Sequence, residues 1–225
     1  MAKHQRDELT YQGLLTALRA DIRRGHFAPG ARLKVAELTK RYETSAMPVR
    51  QALVELQSQG LVSIPANRGA SVRIVDEELL NNLCDLRQAV LGLLIRRFVE
   101  RASPQDIDQL ERYEDAMDRA ESDDEHGIAN DLFFDHIDDV AGNPEASDAL
   151  NRTWPLLMPM ARHFGPRDRR AISRGHRALI AAMRAGDADE AVRLALEAVE
   201  ATRAWFLGRM RAEKAIEAVG DIRGG

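Results

Sequence analysis

Residues 45–53 read Ser-Ala-Met-Pro-Val-Arg-Gln-Ala-Leu, and this run ties a short helix to one use of its faces. Ser45 is a residue type that caps helices, and Pro48 stands in the first turn, where proline is tolerated. Val49, Ala52, Leu53 and Leu56 recur at helical spacing and form an apolar seam. Arg50 shares that helix, and small residues precede it. An amphipathic helix of this kind can put its N-terminal end into a DNA major groove, where an arginine can grip guanine O6 and N7 with two hydrogen bonds.

The flanking segments agree with that use. Leu14, Leu15, Leu18 and Ile22 predict a helix over 9–25, stopped by Gly25 and the Pro29-Gly30 turn. Leu33 and Val35 alternate with charged residues, as a short strand or a helix entry would. Residues 36–42 then read as a short helix with Leu38 inward, and Glu43-Thr44 as a tight break. The helix at 45–59 ends at Gly60. Val62 with Ile64, and Val72 with Ile74, predict two short strands turned by residues 65–69. Three helices followed by a hairpin make a winged helix-turn-helix with a small β-hairpin wing. From Asp76-Glu77-Glu78 onward the pattern is helical, with helices expected near 77–101, 104–121, 124–141, 145–163, 167–185 and 187–215. Ser103-Pro104, Gly142-Asn143-Pro144, Gly165-Pro166 and Gly186-Asp187 punctuate them, and Gly224-Gly225 reads as a loose tail. The expectation is a mainly α chain of two domains, a DNA-binding head at 1–75 and an all-α helical bundle at 76–225.

Charge divides at the same place. The 225 residues carry a net charge of -4, an unpromising value for a partner of phosphate. Residues 1–75, however, hold 12 of the 32 basic and 6 of the 36 acidic residues, a balance of +6 against -10 for the remainder. A basic head on an acidic body is the asymmetry expected when one part meets nucleic acid and the other does not. No run approaches the ~20 apolar residues of a membrane span, and the polar N-terminus lacks the apolar core of a secretory signal. Cys84 is the single cysteine, so no intrachain disulfide can form, and a cytoplasmic location is expected.

At this point the residues match a known family. Phe27-Ala28-Pro29-Gly30, Leu33, Leu38, Ser45, Pro48-Val49-Arg50, Ala52-Leu53, Gly60-Leu61-Val62 and Arg68-Gly69 resemble the DNA-binding domain of the GntR family. Leu86-Arg87, Gly142-Asn143-Pro144, residues 176–182 and Gly186-Asp187 followed by Ala191 are similar to the helical ligand domain (FCD type) of its FadR branch. The resemblance implies a homodimeric transcription factor, usually a repressor, that binds a near-palindromic double-stranded operator and is released by a small metabolite. It implies no enzyme activity. It also places a base or phosphate contact at Arg50, a helix cap with an optional phosphate contact at Ser45, and a wing tip at Arg68 and Gly69 near the minor groove. Where the family often has an arginine, Ala46 stands here, and Met47 replaces a common threonine. Small apolar groups can still touch a thymine methyl, so an operator with its own base at that position is expected. Arg32, Lys34 and Arg41 read as phosphate anchors.

Many FadR-branch relatives hold a divalent metal with an acid or amide and three histidines. Counted from the Gly-Asn-Pro turn, those positions fall at Asn130, Phe134, His176 and Ala198. One imidazole and one amide do not replace that donor set, so neither a metal nor another cofactor is expected. The site then reads as an apolar pocket with a few polar groups, formed by Arg87, Asn130, Phe134 and His176 and suited to an organic acid or acyl effector. Arg87 can pair a carboxylate or close an internal salt bridge. His176 can meet a ligand or be a satisfied core histidine. His136 is expected to point aside from the inward face of Phe133, Phe134, Ile137 and Val140. Asp123-Asp124-Glu125 reads as a solvated helix start, Asp135, Asp138 and Asp139 as surface carboxylates, Asn143 as a turn residue, and Trp154, Met158 and Met160 as core. Two other classes stay open: a metal-dependent sensor or enzyme on the bundle, and an effector-free architectural DNA binder.

Overall fold

The computed structural model describes residues 11–66, 68–165 and 167–223, with side chains described to Lys214. The first two positions of the expected first helix, Asn67 of the wing turn, Pro166 and the Gly224-Gly225 tail lie outside them. The chain forms two compact units. One runs to Asp76 and also contains Trp154–Phe164; the other comprises Glu77–Thr153 and the segment from Gly165.

In the first unit, α1 (Tyr11–Arg23), α2 (Val35–Arg41) and α3 (Ala46–Ser58) precede a two-stranded antiparallel sheet of β1 (Val62–Ser63) and β2 (Ser71–Val72). Val62 pairs with Val72 and Ser63 with Ser71. The expected strands are longer, but Ile74 is 65% exposed and Ile64 only half-buried against the core, while Val62 and Val72 are buried in it. Residues 30–33 add a partial third strand, in which Leu33 N–H donates to Ala70 C=O and Val72 N–H to Ala31 C=O. The α1 seam (Leu14, Leu15, Leu18, Ile22) and the α3 seam (Val49, Ala52, Leu53, Leu56) interlock around Leu38 and the wing valines. Asp21 joins α1 to α2, accepting from Tyr42 Oη at 2.7 Å and Arg41 Nη2 at 2.7 Å, with His26 Nδ1 at 3.0 Å.

Residues 145–163 do not form one helix. They divide into α7 (Pro144–Asn151) and α8 (Trp154–Phe164). Pro155 has no N–H to return to Asn151 C=O, so the α7 ladder lapses and α8 starts afresh after Thr153, with Pro155 in its first turn where no N–H is needed. Helix α8 belongs to the first unit: it packs on α1, and Leu156 lies against the winged-helix core. The compact unit that holds the expected head at 1–75 thus also takes in Trp154–Phe164.

The second unit contains α4 (Glu77–Arg101), α5 (Pro104–Arg119), α6 (Asp123–Ala141), α7, α9 (Arg169–Arg184) and α10 (Ala188–Arg223). Helix α4 packs on α10 and α6, α6 on α5, α5 on α9, and α9 on α10, so the five long helices close a ring; α7 sits against α4 and α6. Ser103 and Ser122 start α5 and α6 with reciprocal capping boxes to Asp106 and Glu125. Gly142 ends α6 at φ +59°, a left-handed backbone that glycine adopts without a Cβ clash. Arg97 and Arg101 from α4 donate to the last carbonyls of α6 at Ala141, at 2.9 and 2.8 Å. Among the described residues no helix is long and apolar enough to cross a membrane.

Candidate DNA-binding and effector sites

The turn between α2 and α3 is set by Glu43, which is left-handed at φ +48°, with Thr44 N–H returning to Thr39 C=O at 3.1 Å. Ser45 follows in extended backbone at the N-cap of α3, but its side chain makes no capping hydrogen bond. This corrects the expected cap. A cap hydroxyl bonds the N–H of the second or third helical residue, and here the third is Pro48, which has none. The N–H groups of Ala46 and Met47 donate no bond to the exposed Ser45 hydroxyl, and they lie in the field of the helix N-terminus.

Burial splits α3 cleanly. Val49, Ala52, Leu53 and Leu56 are buried, whereas Ala46, Met47, Arg50 and Gln51 are exposed. Met47 is 67% exposed and Val54 is 60% exposed, so the outer face mixes apolar groups with Arg50. Val54 and Gln51 escape a sequence reading built on the first turn, although their positions opposite the seam give them away.

At the wing, Arg32 Nη1 donates to Arg68 C=O at 3.3 Å, which ties the partial third strand to the tip. Gly69 is left-handed at φ +72°, and nothing stands within 4 Å of the position a Cβ would take. Lys34, at the N-cap of α2, is exposed and pairs with Glu37 at 2.8 Å. Arg41 is held by Asp21, and that carboxylate keeps its guanidinium above its ordinary value. Arg41 thus clasps α1 to α2 while its side chain stays half exposed.

In the helical unit His176 is buried on α9. Its Nδ1 lies 2.7 Å from Glu114 Oε2, and its ring stacks on Phe133 at 4.8 Å and meets the edge of Phe134 at 5.9 Å. Asn130 and Phe134 are half-buried one turn apart on α6. Asn130, Phe134, His176 and Ala198 do not fit a metal: phenyl and methyl groups supply no donor, and His176 Nδ1 is engaged by Glu114. His136 leans aside as expected, 3.2 Å from Asp106 C=O. Asn143 caps α7, its Oδ1 accepting from Ala146 N–H at 3.2 Å.

Arg87 on α4 is largely withdrawn from water. Burial lowers its guanidinium to about 10, with Arg167 adding repulsion. Its Nη1 donates to Thr153 Oγ1 at 2.8 Å, and Arg167 Nη1 donates to Thr202 Oγ1 at 2.8 Å. Burial lowers Arg167 as well. Two desolvated guanidiniums near enough to repel are thus each bonded to a threonine hydroxyl. Asp138, beside them in charge terms, is pushed up to about 6 by burial. Arg167 escapes the sequence reading, because it follows a Gly-Pro break that marks a loop; Asp138, expected at the surface with Asp135 and Asp139, is instead buried on the inner side of that acidic run.

Comparison with known proteins agrees with this architecture. Residues 10–72 match the family model "Bacterial regulatory proteins, gntR family", and residues 82–201, more than half of the chain, match the FCD domain. The chain belongs to the GntR family of regulators, in its FCD-domain branch. GntR-family relatives include the Nta operon transcriptional regulator of Aminobacter aminovorans, 33% identical over 36% of this chain and 39% of that protein. The HTH-type transcriptional repressor RspR of Escherichia coli is 32% identical over 45% of this chain and 44% of that protein. The chain thus spans less than half the length of these two relatives. The regulator McbR of Escherichia coli is 26% identical over 72% of this chain and 77% of that protein. Its structure (McbR/YncC) superimposes with a TM-score of 0.76 at 23% identity, covering 89% of this chain and 98% of that one. A GntR regulator from Rhodococcus sp. RHA1 gives 0.70 at 23% identity, over 88% and 97%. These families and relatives are transcriptional regulators, not enzymes.

Proposed function

We propose that this GntR-family regulator is a homodimeric repressor that reads a near-palindromic operator and is released by an organic acid bound in its FCD domain. The observation that carries the DNA half is the outward face of α3. Arg50, Met47 and Ala46 stand exposed over a buried seam, and the uncapped start at Ser45 leaves backbone N–H groups ready for a phosphate. Arg50 reads a base, Met47 and Ala46 meet thymine methyls, and Arg32, Lys34, Arg68 and Gly69 hold the flanking backbone and groove. The effector half is supported by Arg87 and Arg167, two guanidiniums of the helical unit of the kind that grips a carboxylate by bidentate pairing. Asn130, Phe134 and His176 supply the rest of the pocket wall.

The experiment is operator selection from random DNA with purified protein, repeated with Arg50→Ala. Wild type should enrich an inverted repeat, and the variant should relax one position in each half-site, a loss of about 1–3 kcal/mol in discrimination. Enrichment of no sequence by the wild type, or an unchanged motif with the variant, would refute the assignment. A wild type that binds all sequences alike would be an architectural binder instead.

A further inference from the structure

We infer that the cavity at Glu114 is a binding site for a small aliphatic amine, with the ligand's ammonium group donating to the Glu114 carboxylate. Glu114 occupies a buried position of α5 whose companions Ile107, Leu110 and Met117 are apolar, and the residue itself is 0% exposed. Burying a carboxylate costs several kcal/mol unless its oxygens are satisfied. Oε2 is satisfied by His176, but Oε1 has no hydrogen-bond partner among the described residues. Native proteins rarely leave such an oxygen empty, and an orphan of this kind calls for a missing partner.

Glu114 also lines a cavity of about 230 Å³ between α5, the start of α6 and the start of α9. Of the other polar walls, Arg170 is exposed to solvent and Ser173 bonds Asp118. Arg169 is held by Asp123 and by Ala120 C=O, and Asp118 by Arg177. Burial, aided by the nearby charge of Arg169, lowers His126. Met117 and Ile172 supply an apolar wall for a short carbon chain. The cavity therefore offers one buried anionic acceptor and an apolar surface, the complement of a small aliphatic amine. A carboxylate there would meet like charge.

The test uses the full chain with methyl-labelled Met and Ile, titrated with propylammonium chloride, sodium propionate or potassium chloride at matched ionic strength. The amine should shift the Met117 and Ile172 methyl resonances saturably, and propionate and potassium chloride should not. Glu114→Gln keeps the shape and removes the charge, and should weaken the amine response by about tenfold or more, the worth of one charge-assisted hydrogen bond. Equal response to amine and propionate, no saturable response to amine, or an undiminished response in Glu114→Gln would each overturn the inference. The amine-against-propionate arm decides even if the variant does not fold. DNA release is not read, so failure here leaves the operator and organic-acid readings standing.

Discussion

Asp138 is a carboxylate in the wrong solvent, and its replacement should stabilise the protein in a pH-dependent way. It is 9% exposed on α6 and accepts one hydrogen bond from Asn151 Nδ2, at a long 3.3 Å. Burial, with Asp135 and Asp139 adding repulsion, raises it from 3.8 to about 6. Between those values the folded chain keeps a proton that the unfolded chain has released. Stability therefore falls as pH rises through this window, and the full penalty is present by neutral pH. The gap is worth roughly 3 kcal/mol at about 1.4 kcal/mol per pH unit. Asp138→Asn cannot ionise, and its amide oxygen can still accept from Asn151. The variant should be more stable than wild type by about 1–3 kcal/mol at neutral pH, a rise in Tm of several degrees for a chain of this size. Near about pH 3, below both values, the advantage should vanish. Urea unfolding of both proteins at a series of pH values follows this group together with its repulsion on Asp135 and Asp139, because more distant carboxylates cancel in the difference. A difference that stays flat with pH, or a variant less stable at neutral pH, would refute the reasoning.

Other sites give sharper single measurements. Gly142→Ala should cost about 1–2 kcal/mol in thermal unfolding. Its Cβ would lie 2.6 Å from Arg101 Nη1 and dislodge the donor to Ala141 C=O; an unchanged Tm would show that α6 ends without that bond. Lys34→Ala should weaken all DNA sequences alike and lower the salt slope of binding by about one per copy bound. A change in the selected motif instead would make Lys34 a base reader. Arg87→Met should leave operator binding intact yet abolish release by any carboxylate that releases wild type in a panel followed by fluorescence anisotropy. Continued release would place the effector away from Arg87.

Periodicity makes the two seams of the winged helix legible, because Leu14 to Ile22 and Val49 to Leu56 need only local spacing to declare their buried faces. Turn chemistry does the same for Gly142 and for the serine caps at 103 and 122. The silent cap at Ser45 was within reach, since Pro48 removes the N–H that a cap would use. Likewise Trp154-Pro155 carries the signal for the α7–α8 break. The Glu114–His176 pair is different in kind. On α5, Glu114 reads as one more surface acid among many, and its partner lies 62 residues away, a separation that no local pattern encodes. Arg87 shows a further limit: its residue type fits an ion pair as well as an effector, and only the fold reveals that it meets a threonine hydroxyl.

The return of α8 to the first unit has a consequence for how the molecule is made. Leu56 and Leu61 of the winged-helix core are synthesised early, yet Leu156, which packs against that core, emerges only after most of the helical unit's first half. The DNA-binding body therefore cannot finish folding on the ribosome as an N-terminal module ahead of the rest. It closes late, through a contact distant in sequence that slows folding. A chain cut after Asp76 would keep every residue of the groove-reading face and still lack a piece of the body that carries it.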